Sequence, residues 1–231
     1  VLSSLSLDLT AQRSLTAEQI LDRMTQASAS REALAKIRTV RMRATITYPS
    51  QNLQGTMEMN FKTPSRLLLK VNIQGIGEIL QGYDGKVGWE KNPLTGLREI
   101  KGAELDQLRL TSNPASSYNW RQQLRSPRLA GTAKVDNRDA YVIEAKSVTG
   151  GDTKWYIDTK NFYLLRTDMT IATQQGTIPT TSYFSGYRRV DGILYPFTLR
   201  QVALGMESRI QFTEVKHNVP LNDSIFRKPK Q

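Results

Sequence analysis

The residues best suited to chemistry are few and scattered. The chain holds one histidine, His217, in Val215–Lys216–His217–Asn218, and no cysteine. A nucleophilic triad needs that imidazole at its centre with an orienting carboxylate, and no Gly-x-Ser-x-Gly elbow accompanies it. His217 therefore reads as a surface histidine at a strand end. Usual zinc sites need several His or Cys ligands and are nearly excluded, and thiolate and disulfide chemistry is absent. Asp136, Asp139, Asp152 and Asp158 fall on separate turns, which suits turn formation better than calcium or magnesium binding. Gly75-Ile76-Gly77 opens like a dinucleotide fingerprint, but Leu80 stands where the third glycine belongs and no βαβ unit surrounds it. An enzyme acting on lipids or acidic polymers would need a carboxylate pair, for which Glu78, Asp84 and Glu90 are the candidates; no catalytic cluster is readable. The sequence implies no cofactor.

Apolar side chains carry a stronger signal. Val40, Met42, Ala44, Ile46 and Tyr48 alternate with Arg41, Arg43, Thr45 and Thr47; Met57, Met59 and Phe61 alternate with Glu58, Asn60 and Lys62. Leu67, Leu69 and Val71 continue the rhythm. Period two with one apolar face marks strands with a dry side and a wet side. The dry side must be covered or must hold an apolar ligand. Methionine suits adaptable apolar sites and serves equally as core filler. The candidate ligand-binding set is Met42, Ala44, Ile46, Met57, Met59, Phe61, Leu67, Leu69 and Val71, with Trp89 as a further wall. Met169, Ile171, Phe184, Phe197, Ile210 and Phe212 extend the theme downstream.

These residues need a framework. Thr16 and Gln19 form a capping box, and Ile20, Leu21 and Met24 recur at helical spacing, so one helix bent near Ser28–Ser30 spans about 16–38. Strands follow over 39–49, 54–63, 65–73, 78–83 and 86–90. Residues 102–125 lose the alternation and read as a helical insertion broken at Asn113–Pro114. A second block of strands runs from 128 to 216, with turns at Gly150–Gly151, Asp158–Asn161, Gly176 and Asp191–Gly192. The expected class is mainly β (α+β): a curved, antiparallel, half-open β-barrel of about eleven strands. The N-terminal helix and the short insertion act as its lid. Residues 1–13 read as a leader or an added edge strand, and 14–231 as a single domain.

Thirty-two Lys and Arg against 21 Asp and Glu give a net charge of +11, a field that favours anionic partners such as membrane surfaces. The charges are spread rather than clustered, and nucleic-acid binding rests on charge alone, so it is not expected. No apolar run approaches the roughly 18 residues of a membrane-spanning helix. A first residue other than Met fits a processed protein or a piece of a longer chain.

The segments LTAEQILDRM, REALAKIRTVRMRATI, GEILQGYDGKVGWEKNPLTGLREI, YIDTKNFYLLRTDMT, YFSGYRRVDGILYPFTLR and FTEVKHNVPLNDSIF follow one another in order. Together, over about 14–229, they resemble the outer-membrane lipoprotein-sorting (Lol-type carrier) superfamily. The likeness is greatest to the version found alone or fused to insulinase-type peptidases. The resemblance implies a half-closed barrel with helices over an apolar cavity that takes acyl chains of lipids or lipoproteins, in the periplasm or otherwise exported. It implies no peptidase activity, since no zinc-peptidase motif is present, and no motif places a mouth arginine. The expected function is a non-enzymatic envelope carrier whose partners are a lipid or acylated protein. Envelope proteins or an anionic membrane surface are further partners, and an interaction or sensor module without lipid cargo is the alternative.

Overall fold

A computed structural model of the chain describes residues 15–174 and 176–230. The question of residues 1–13 lies outside the described residues. Helix α1 (Ala17–Ser28) starts where the capping box predicts: Thr16 Oγ1 accepts from the Gln19 amide at 3.2 Å, and Gln19 Oε1 accepts from the Thr16 amide at 2.9 Å. The expected single bent helix is two. Ser28 folds its hydroxyl back onto the Met24 carbonyl, and Ser30 caps a new helix, α2 (Arg31–Ala35), by accepting from the Ala33 amide. Serines at both positions offer the backbone local partners that end one helix and begin the next.

Six strands follow: β1 (Thr39–Tyr48), β2 (Leu53–Lys62), β3 (Arg66–Ile73), β4 (Gly77–Tyr83), β5 (Gly88–Asn92) and β6 (Gly96–Ile100). Helix α3 (Gly102–Ser112) and two 3-10 turns, Ser116–Tyr118 and Trp120–Gln122, form the insertion. Seven more strands complete the sheet: β7 (Leu124–Val135), β8 (Arg138–Ser147), β9 (Asp152–Asp158), β10 (Leu164–Thr173), β11 (Gly176–Val190), β12 (Ile193–Ala203) and β13 (Met206–His217). The described residues thus hold 13 strands rather than about eleven, all in one antiparallel sheet. The order is β6-β5-β4-β3-β2-β1-β13-β12-β11-β10-β9-β8-β7, so the first and last strands join two meanders.

This sheet is curled and unclosed. Six strands (β3, β2, β1, β13, β12, β11) lie between β4 and β10, yet α3 touches both. A flat sheet at about 4.8 Å per strand would hold them roughly 34 Å apart, far beyond the ~10 Å width of a helix. Only a sheet bent around its helices brings them together. α1 lies on the concave side of the second meander, where Ile20, Leu21 and Met24 bury against Trp120, Ile143, Trp155 and Ile157. α3 covers the first meander through Leu105 and Leu108, against Leu67, Tyr83 and Ile100.

Candidate functional site

Cross-strand register decides which predicted residues meet. Ala44, Met57 and Val71 lie opposite one another, as do Met42, Met59 and Leu69, and Phe61 opposes Leu67. Ile46 faces Ile210 across the β1–β13 pair. Nine of the ten candidates therefore share the concave face. Ala44, Ile46, Leu67 and Val71 are buried there. Met42, Met57, Met59, Phe61 and Leu69 are half-buried, although they point to the same side. These five pack against the margin of the buried cluster that the helices cover.

Trp89 does not join them. The β4–β5 turn sets Tyr83 opposite Gly88 and Gly82 opposite Trp89, which puts the indole on the face of Leu68 and Asn60. There it lies against Gly82, where a Cβ would fall 2.2 Å from the ring, and donates Nε1–H to the Phe226 carbonyl at 2.8 Å. Trp89 belongs to the convex side, beneath the C-terminal segment.

The row Met42–Met59–Leu69 continues across β4, β5 and β6 as Gln81–Glu90–Arg98. The concave face thus turns from apolar to charged within one line of side chains. Arg98 donates to both oxygens of Glu104 on α3, at 2.8 and 2.6 Å, and to Glu90 at 3.2 Å. All three side chains are mostly withdrawn from solvent, at 19% exposure for Arg98 and Glu90 and 16% for Glu104. The hydrogen bonds to Glu104, assisted by Glu90, raise the Arg98 pKa against the lowering effect of burial. Beside this triad is a cavity of ≈ 370 Å³ between α3, the edge strands and the end of β10. Glu90 is one of the three carboxylate candidates of the sequence. Of its companions, Glu78 pairs with Lys70, and Asp84 accepts from the amides of Lys86 and Val87, so the three do not converge. Neither Arg98 nor Glu104 stands out in the sequence, because no periodicity marks them.

Polar side chains also line the concave face of the second meander. Thr153, Thr167, Thr180, Ser182 and Ser208 are buried there, so its inward surface is more polar than that of β1–β3. His217 is not a surface residue: its side chain is 2% exposed, with Nδ1 2.8 Å from Asp191 and Nε2 2.8 Å from the Tyr195 hydroxyl. Burial pushes the Tyr195 hydroxyl up to about 12, so it remains protonated and can donate to the ring. Tyr195 also meets Tyr118 edge to face, which fastens the insertion to the sheet. Asp158 Oδ1 accepts from the amides of Lys160 and Asn161 while its Oδ2 accepts from Arg138, the turn role expected of it.

With this geometry in view, comparison places the fold. A LolA superfamily protein from Nitrosomonas europaea superposes with a TM-score of 0.59 at 16% identity, covering 93% of this chain and 99% of that one. A DUF1329 family protein from Desulfovibrio piger gives 0.61 at 15%, covering 91% and 97%. A Vibrio parahaemolyticus domain named for outer-membrane lipoprotein sorting gives 0.57 at 14%, covering 92% and 97%. The chain therefore has the LolA-type fold, a curled and open antiparallel sheet over helices. No curated protein matches it in sequence. A family model whose description reads "Uncharacterized protein" matches residues 109–230.

Proposed function

We propose that this chain, which belongs to the family matched over residues 109–230, is a non-enzymatic cell-envelope protein that binds a lipid or lipoprotein acyl chain on the concave face of its sheet. It serves in transport or sorting, and residues 14–231 act as one carrier-like domain. The observation that carries the reading is the unbroken apolar side of β1 to β3, on which Met42, Met57 and Met59 stay only half-buried beneath the helices. Burying an acyl chain of about 14 carbons at roughly 0.8 kcal/mol per methylene yields a gross gain on the order of 10 kcal/mol. Ordering costs take back part of it. The LolA-type fold supports the same reading, and the match of one neighbour to a domain named for lipoprotein sorting supports an exported location.

The strand ends around the turns of residues 74–76, 93–95 and 204–205 form one rim, because each hairpin returns to the same side. Leu94 and Leu204 stand 85% and 68% exposed on it. Apolar tips on a chain of net charge +11 favour contact with an anionic membrane surface.

A second reading is an interaction or sensor module. It is favoured by the extent to which Ala29, Ile37 and Tyr118 already pack against the concave face, and by four cavities among the described residues being lined by other side chains. Native mass spectrometry of the protein exported to a bacterial periplasm and purified without detergent separates the two. Carriage predicts a discrete added mass that dissociates as lipid, lost in Met59→Arg with the sheet still formed. A clean apo mass for the unaltered protein, together with a defined protein partner from envelope extracts, would replace carriage with the second reading.

A further inference from the structure

We propose that the cavity beneath α3 is a headgroup subsite for an amphiphile bearing an ammonium group, whose tail lies along the row Met42–Met59–Leu69. This rests on the acyl-binding reading and names the chemical class of its ligand.

Continuity comes first. The line Met42–Met59–Leu69–Gln81–Glu90–Arg98 crosses six adjacent strands, about 24 Å at ~4.8 Å per strand spacing. One half is apolar and the other polar, the profile of an extended amphiphile. The cavity stands at the polar end, and Leu108, Ile171 and Ala172 form its apolar margin.

Sign comes second. The charged residues lining the cavity are Glu90, Arg98 and Glu104, which sum to −1. Glu104 already holds Arg98 through both oxygens, so Glu90 is the surplus carboxylate, engaged through one oxygen at the longer distance of 3.2 Å. A surplus charge withdrawn from water is costly unless a counter-charge joins it. An anionic head would add to the surplus, and a sugar head would leave it uncompensated. An ammonium group balances it and donates hydrogen bonds to carboxylate and amide oxygens.

Calorimetric titration of the full chain with dodecylammonium, dodecyl maltoside and dodecanoate tests this with one tail and three heads. Dodecylammonium should bind about tenfold more tightly than the others, the scale of one partly buried charge-assisted contact. The net charge of +11 repels this probe from the exterior, so its preference cannot be a surface effect. Glu90→Gln should erase the preference, bringing dodecylammonium down to the affinity of dodecyl maltoside for the same variant. Asn92→Asp keeps the acceptor that holds the Leu94 amide and adds a charge at the cavity, so it should strengthen dodecylammonium about threefold by the same kind of contact. Equal binding of the three probes, or dodecanoate binding tightest, overturns the subsite while the acyl-binding reading stands. Failure of every probe to bind the unaltered chain overturns that reading and the subsite with it.

Discussion

Asp168 accepts from four donors on the convex side: Arg166 Nε at 2.8 Å and Thr181 Oγ1 at 2.9 Å on one oxygen, and Arg166 Nη2 at 2.8 Å and the Tyr156 hydroxyl at 3.0 Å on the other. Partial burial pushes its carboxyl pKa up, but the donors outweigh it and hold the pKa below the ordinary 3.8. The native state therefore binds its proton less readily than the unfolded chain. Its stabilisation is complete above the unfolded pKa and is lost as pH falls through the native one. Asp168→Asn should cost about 1 kcal/mol near neutral pH, a figure kept small by solvent screening. Urea unfolding across a pH series should show the gap close on acidification; a gap that widens would contradict the assignment. Trp89 poses a separate question, since its hydrogen bond to Phe226 is buried. Trp89→Phe leaves that carbonyl unpaired and should cost about 1–3 kcal/mol in denaturant unfolding. Acyl binding should be unchanged, because the indole is on the other face. A loss of binding at full stability would return Trp89 to the ligand site.

Helices α1 and α2 both roof the concave face, but they are held differently. α1 places Ile20 and Leu21 fully out of solvent, whereas α2 buries none of its residues and leaves Leu34 half-covered. Ile20→Ala should cost about 2–5 kcal/mol, and Leu34→Ala less than half of that. Guanidinium unfolding measures both, and equal costs would mean that α2 is as firmly docked as α1. The same contrast explains what the sequence revealed. β1 to β3 were legible because one side of each strand is apolar without interruption. β6 was missed because it has five residues and its inward side carries Arg98 before Ile100. In the second meander, inward Thr153, Thr167, Ser182 and Ser208 blur the apolar rhythm, so turn residues carried the strand reading there. Nine of the ten candidate residues share one face because neighbouring registers preserve their parity. Trp89 was misplaced because parity across the β4–β5 turn depends on how many residues the turn consumes. The Arg98–Glu90–Glu104 triad was invisible because it needs a hairpin register and a docked helix together.

At the scale of the whole molecule, the sheet joins its terminal strands and leaves its middle ones at the edges. β1 and β13 pair along most of their length at the centre of the order, while β6 and β7 have a neighbour on one side only. The insertion that links these two edges in the chain also spans the opening in space, through α3 on β4 and β10. On the proposed carrier reading, a bulky tail has its least costly entry where α3 lifts from the edge strands, since opening at β1–β13 would break a long ladder of backbone hydrogen bonds. Hydrogen exchange of the free protein should then show α3, β5 and β6 exchanging fastest among the regular elements and β1, β12 and β13 slowest. Saturation with a binding amphiphile should slow α3 and β6 and leave the already protected central strands unchanged. Binding that slows β1 and β13 instead would place the entrance at the joined termini and reverse the roles given to the two ends of the sheet.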